Sequence, residues 1–114
     1  MAPMRILESI ADLDDAVRRS HAQPIVIFKH SATCGTSAMA LEEVEELIGL
    51  EPATEIFVVS VQSGAAVSAE IARRFGLRHE SPQALVVHDG SVIWHASHFH
   101  VTREEIASAL AAIT

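Results

Sequence analysis

Two short runs of β-branched and aromatic residues constrain this chain more than any other feature. Ile25-Val26-Ile27-Phe28 and Glu55-Ile56-Phe57-Val58-Val59-Ser60-Val61 are almost continuously apolar, too short for helices, and flanked by polar residues. A strand with one face in water alternates polar and apolar side chains, so runs like these predict strands covered on both faces. Segments of helical period separate them. Over residues 10–20, Ile10, Leu13, Ala16 and Val17 share a face, with Asp12, Asp14 and Asp15 near the start and Arg18 and Arg19 near the end. That charge order complements the helix dipole at both ends. Residues 34–48 carry Met39, Ala40, Val44, Leu47 and Ile48 as an apolar stripe, with Gly49 as the expected stop. Ser63 and Gly64 open a third helix, with Val67, Ile71 and Phe75 inward and Gly76 ending it.

The last third of the chain changes pattern. Residues 84–88 and 92–95 flank Asp89-Gly90, the strongest short-range hairpin signal. A final helix over 102–113 begins with Thr102 and Glu105 in capping-box spacing. A weak strand over 4–7 leads the chain. Strands separated by helices pair in parallel through right-handed crossovers, and the hairpin adds an antiparallel pair at the other side. The expected fold class is α/β and thioredoxin-like: a four- to five-stranded mixed sheet with helices on both faces. Residues 1–114 read as a single such domain.

Composition narrows the partners. Eight Lys and Arg against fifteen Asp and Glu give a net charge of −7, which repels phosphate backbones and anionic lipid. No nucleic-acid or membrane partner is expected, and no apolar run approaches the roughly 18 residues of a membrane span. Residues 1–5 lead into an acid-containing segment and not an apolar one, so no export signal is expected. A single cysteine makes no internal disulfide, and the expected location is the reducing cytoplasm.

That cysteine, Cys34, falls where a buried strand has ended and a helix is about to begin. Free N–H groups and the positive dipole end there favour thiolate over thiol. A thiolate attacks disulfides, so the location supplies a nucleophile. The bland alternative is a buried cysteine packed as a small hydrophobe. Thr33, Gly35, Thr36 and Ser37 are polar or small, and none would seal it into a core. Cys34-Gly35-Thr36-Ser37 has Cys-x-x-Cys spacing with serine in the second place. The Ser37 hydroxyl, one helical turn on, can approach the sulfur but forms no disulfide; equally, it reads as an ordinary first-turn residue. A monothiol cycle through a mixed disulfide remains open. Ser81-Pro82 immediately precedes a predicted strand. In a thioredoxin-like fold this is the place of a cis-proline loop facing the active cysteine, where Ser81 offers backbone N–H and C=O to an extended substrate. Otherwise it is a trans proline starting a strand.

Three stretches carry a resemblance. They are Phe28-Lys29-His30-Ser31-Ala32-Thr33-Cys34-Gly35-Thr36-Ser37, Phe75-Gly76-Leu77-Arg78-His79-Glu80-Ser81-Pro82-Gln83 and Trp94-His95-Ala96-Ser97-His98. Together they resemble the monothiol bacilliredoxins, the thioredoxin-like family of the bacillithiol system usually marked by Thr-Cys-Pro-Ile-Ser. The resemblance implies removal of bacillithiol from mixed disulfides on cytoplasmic client proteins. It makes Cys34 the nucleophile and puts Ser37 in the motif's serine place. Gly35-Thr36 departs from the usual Pro-Ile. No cofactor is implied beyond bacillithiol, a low-molecular-weight thiol, as co-substrate.

Bacillithiol carries a malyl group with two carboxylates, so its cleft should offer cations or N–H donors. Lys29, His30, Arg78 and His79 flank the cysteine turn and the proline loop and are the candidates. Thr33, Gly35, Thr36, Ser81 and Pro82 complete the expected substrate-binding set. Lys29 and Arg78 read equally as solvated surface charges. His30 either favours the thiolate when protonated or is a turn residue without a role. Four of the seven histidines lie between His88 and His100. On an extended strand His98 and His100 would share a face opposite His95; two imidazoles without a carboxylate make a poor metal site, and none is expected. Glu42, Glu43, Glu45 and Glu46 read as a solvated helix face. Two other functions compete. One is an iron–sulfur cluster carrier, since Cys-Gly-Thr-Ser is one residue from the Cys-Gly-Phe-Ser of monothiol glutaredoxins. The other is a non-catalytic interaction module.

Overall fold

The apolar run at Ile25 continues two residues beyond its hydrophobic part. β2 spans Ile25–His30 and takes in Lys29. The computed structural model describes residues 4–33 and 35–113. In chain order the elements are β1 (Met4–Ile6), α1 (Ile10–Arg19), β2, α2 (Gly35–Leu50), β3 (Glu55–Ser60), α3 (Ala65–Phe75), β4 (Gln83–His88), β5 (Ser91–Ser97) and α4 (Arg103–Ala111). A 3-10 turn, His98–His100, links β5 to α4. The five strands form one mixed sheet in the order β1-β3-β2-β4-β5. β1, β3 and β2 run parallel, β4 is antiparallel to β2, and β5 is antiparallel to β4.

β2 is central, and its first five residues are buried. Ile25 and Ile27 join Phe57, Val59, Leu85 and Val87 under Leu13 and Ala16 of α1 and Val67 and Ile71 of α3. Val26 and Phe28 join Ile56, Ala84 and Val86 under Ala40, Val44 and Leu47 of α2 and Ile106 of α4. Odd and even positions of one strand thus feed two cores, each side chain contributing about 1.5–3 kcal/mol by leaving water.

Local chemistry fixes the ends. Ser9 caps α1, its Oγ accepting the Asp12 N–H at 3.1 Å. Asp89 and Gly90 have φ of 52° and 78°, as a type I′ hairpin turn requires. The end of α1 holds that turn: Asp89 N donates to the Ser20 carbonyl at 2.9 Å and Gly90 N to Ser20 Oγ at 3.0 Å.

Four expectations are corrected. α2 passes through Gly49 to Leu50 and stops before Pro52, which disfavours helical backbone in the residue preceding it. Its buried face is Ser37, Ala40, Val44 and Leu47, and Met39 lies off that face, 59% exposed. The glutamate run is not wholly solvated, because Glu43 accepts the Arg103 N–H at 3.0 Å and, with Glu46, pairs with the Arg103 guanidinium. β5 ends at Ser97, so the strand alternation expected of His98 and His100 does not arise.

Gly64 caps α3 where the chain leaves β3. A Cβ there would lie 2.8 Å from both the Ser60 carbonyl oxygen and Val59 Cγ2. That oxygen accepts Gly64's own N–H at 2.8 Å, so it has no freedom to retreat. Gly64→Ala is expected to destabilise the fold by about 2 kcal/mol. In a thermal melt this is a drop of roughly 8 °C. An unchanged melting temperature would refute the close approach.

Candidate functional site

The C-terminal ends of β2 and β3 and the start of β4 lie at one end of the sheet. In the ladders His30 is opposite Ser60, and Lys29 is opposite Gln83. Two connections meet there: residues 31–33 leading to α2, and residues 78–82 leading to β4.

The first connection is braced from both sides. Ser37 is buried, and its Oγ accepts the Ser31 N–H at 3.1 Å. From the β3–α3 loop, Gln62 Nε2 donates to Ser31 Oγ at 2.7 Å and Thr33 Oγ1 at 3.4 Å, and Gln62 Oε1 accepts the Ala32 N–H at 3.3 Å. Ser60 holds Gln62 in turn, accepting its N–H at 3.2 Å. Gly35 follows as the exposed first residue of α2, and Thr36 is half-buried. Cys34 itself lies outside the described residues. Nothing in local spacing singled out Gln62, since its role depends on a crossover from another loop. Gln62→Ala is expected to cost about 1 kcal/mol and to speed amide exchange at Ala32 while β2 amides keep their protection. Exchange measured by NMR checks this.

The second connection is held at three successive residues. The Arg78 carbonyl accepts from Gln83 Nε2 at 3.1 Å. His79 Nδ1 lies 3.3 Å from Lys29 Nζ and 3.4 Å from Ser68 Oγ. Glu80 accepts the Ser97 hydroxyl at 2.5 Å and lies 3.7 Å from His98 Nε2. The Ser97 hydrogen bond, aided by the charges of His98 and Arg78 and opposed by burial, holds the Glu80 carboxyl below its ordinary pKa. The Ser81–Pro82 bond is cis, and the Pro82 carbonyl accepts the His98 N–H at 2.9 Å.

Lys29 departs from both readings of it as a surface charge and as a direct contact for substrate. It is fully buried, on the face of the sheet that carries α1 and α3. Burial pushes its pKa down from 10.5 to about 8, so at neutral pH it is an ammonium donating to His79 Nδ1. No ion pair with a carboxylate neutralises Lys29 among the described residues. The sequence brackets Lys29 and His30 together, but they fall on opposite faces. His30 is half-buried, edge-on to Phe28 at 6.0 Å. Lys29 and His79, distant in sequence, are the pair that meets. Arg78 is left as the exposed cation of the expected set, with no ion pair among the described residues.

Three buried side-chain polar atoms have no partner among the described residues: His30 Nδ1, Ser81 Oγ and Gln83 Oε1. Each belongs to a residue within two positions of the Lys29–Gln83 ladder pair. Unpaired buried polar atoms are costly, and their concentration at one end of the sheet marks it as the candidate site. Among the described residues no group of three or more His, Asp or Glu side chains converges to hold a metal.

A family model described as monothiol bacilliredoxin BrxC matches residues 5–106. The chain belongs to that family. Among solved structures, a protein described as having a thioredoxin fold is 26% identical to this bacilliredoxin, with a TM-score of 0.85 over 93% of this chain and 92% of the other. Thioredoxin from Fasciola hepatica is 21% identical, with a TM-score of 0.77 over 97% and 100%. Mitochondrial thioredoxin 3 from Saccharomyces cerevisiae, in its oxidized form, is 14% identical, with a TM-score of 0.78 over 96% and 95%. The fold is thioredoxin-like, and the bacilliredoxin is a thiol oxidoreductase by family and fold. Cys34 is the only cysteine in the sequence. No helix among the described residues is long and apolar enough to cross a membrane.

Proposed function

We propose that this bacilliredoxin removes bacillithiol from mixed disulfides on cytoplasmic client proteins, with Cys34 as the nucleophile. One observation carries the reading: the described turn at residues 31–33, braced by Ser37 and Gln62, leads in sequence through the single cysteine to Gly35, the first residue of the 16-residue helix α2. A helix of that length has an electropositive N-terminus, which favours the thiolate.

In the first step the Cys34 thiolate attacks the bacillithiol sulfur of the client–S–S–bacillithiol bond. That bond breaks, the client leaves as a thiolate, and a Cys34–bacillithiol disulfide forms. In the second step a reduced bacillithiol attacks the bacillithiol sulfur held on Cys34. The Cys34 thiolate returns and a symmetric bacillithiol disulfide leaves. No external electrons enter: the client sulfur passes from disulfide to thiol level, the incoming bacillithiol sulfur passes from thiol to disulfide level, and the bacillithiol sulfur of the original adduct stays in a disulfide throughout. Ser37 supplies no second sulfur, so the adduct on Cys34 waits for an external thiol or a dedicated reductase.

Arg78 is exposed beside the cis-proline loop, and its guanidinium suits the malyl carboxylates. His79 is exposed on the same loop. Ser81 offers its backbone to the substrate chain, and Thr33, Gly35 and Thr36 flank the sulfur. Lys29 acts from beneath, by fixing His79.

The test gives wild-type protein and excess reduced bacillithiol a client carrying either a bacillithiol or a glutathione adduct, and follows each by intact mass. Faster loss of the bacillithiol adduct is expected. Loss of both adducts only at the spontaneous rate would remove the enzyme reading, and preference for glutathione would replace bacillithiol as the substrate.

A further inference from the structure

Two large apolar side chains stand in water beside the candidate site. Met39 is 59% and Phe99 72% exposed, and both line a groove of about 280 Å³ between α2 and the 3-10 turn. Thr36 lies at the groove end nearest Cys34 in sequence, and Glu42 and His98 line it as well. The wall that carries Phe99 hangs from the proline loop through the His98 N–H bond to the Pro82 carbonyl. His98 has φ of 56°, in the left-handed region that few non-glycine residues adopt, Asn, Asp and His more often than others. Phe99 is therefore exposed on a turn held in place at both ends, since Val101 N also donates to the His98 carbonyl at 3.3 Å. Held outliers of this kind concentrate where a surface has work to do.

Charge selects the occupant. Arg103 occupies Glu43 and Glu46, but Glu42 is exposed and has no ion-pair partner among the described residues. The rim thus offers one unpaired carboxylate beside two apolar side chains, on a chain of net charge −7.

We propose that this groove docks the protein half of the mixed disulfide, taking a client segment that carries an apolar side chain and a Lys or Arg close to its modified cysteine. This rests on the proposed mixed-disulfide activity and adds a choice among clients. Met39 and Phe99 cover the apolar residue, and Glu42 meets the cation. The binding energy comes from side chains remote from the sulfur, so the preference appears in KM.

The test uses three peptides with the same cysteine–bacillithiol disulfide, followed by Leu-Lys, Leu-Glu or Gly-Ser, and the mixed disulfide of bacillithiol with 2-mercaptoethanol as a substrate without a flank. The Leu-Lys peptide is expected to exceed Gly-Ser about tenfold in kcat/KM, mostly through KM. The double variant Met39→Ser, Phe99→Ser should erase that advantage, and Glu42→Lys should reverse the order of Leu-Lys and Leu-Glu. All variants should turn over the 2-mercaptoethanol disulfide at the wild-type rate. Equal kcat/KM for the three peptides, with that disulfide still turned over, would overturn the docking surface and leave the mixed-disulfide activity standing. Slowing of the 2-mercaptoethanol disulfide in the variants in step with the peptides would also overturn it. Failure of wild type on every substrate would overturn the activity and the docking surface together.

Discussion

Lys29→Met is expected to stabilise the protein by about 2–3 kcal/mol at pH 7. Burial lowers the Lys29 pKa from 10.5 to about 8, because the ammonium loses water and no carboxylate pairs with it among the described residues. A depression of that size corresponds to roughly 3 kcal/mol of preference for the neutral amine in the folded state. Below pH 8 the lysine is protonated in both states, and the whole penalty weighs on the fold. Between pH 8 and 10.5 the unfolded chain keeps a proton that the folded chain has released, so stability rises with pH. Above 10.5 both states are neutral and the penalty is gone. Urea denaturation across pH 7 to 10.5 should therefore show a rise in wild type that is missing in the methionine variant. Parallel curves would mean that the buried amine carries no such charge. The substitution also takes a donor from His79, leaving it with Ser68 alone, so adduct removal is expected to slow while the fold gains stability.

This lysine shows where sequence reasoning stops. Element order and sheet type were legible, because the runs at Ile25 and Glu55 and the turn at Asp89-Gly90 each speak through local pattern. The position of Ser81-Pro82 just ahead of a strand was legible for the same reason. Lys29 was not. A lysine next to an apolar run looks like the strand's end, and only the long-range meeting with His79 and the cover from α3 show that β2 continues through it. Gln62 is the same case in reverse, an unremarked polar residue that three groups of another loop converge upon. The sequence pattern places Met39 inward because the apolar stripe does not mark Ser37 as buried; Ser37, Ala40, Val44 and Leu47 share one side of α2, and position 39 lies roughly a third of a turn from it. Strand and turn signals are local, whereas the bracing of a site is built from residues that meet only after the chain has crossed the sheet.

Cys34→Ser should reduce adduct removal at least a thousandfold, to the spontaneous exchange rate. The substitution keeps size and some polarity, so what is lost is the nucleophile: a serine hydroxyl is not ionised near neutral pH, and an alcohol does not displace a thiolate from a disulfide. No other thiol in the chain can substitute, because Cys34 is the only one. The pH profile separates this chemistry from simple binding. An unperturbed cysteine ionises near pH 8.5. A sulfur at the opening of α2 should react with iodoacetamide on a curve whose midpoint lies below that, since the first N–H groups of the helix favour its anion and the first turn contains no acidic residue to oppose them. A midpoint at or above 8.5 would show that the helix gives the sulfur no help. Ser37→Ala then divides the two roles open to that hydroxyl. If its contribution is only to hold the Ser31 N–H, the alkylation midpoint stays in place and amide exchange at Ser31 quickens. A rise in the midpoint shows instead that the hydroxyl also donates to the thiolate.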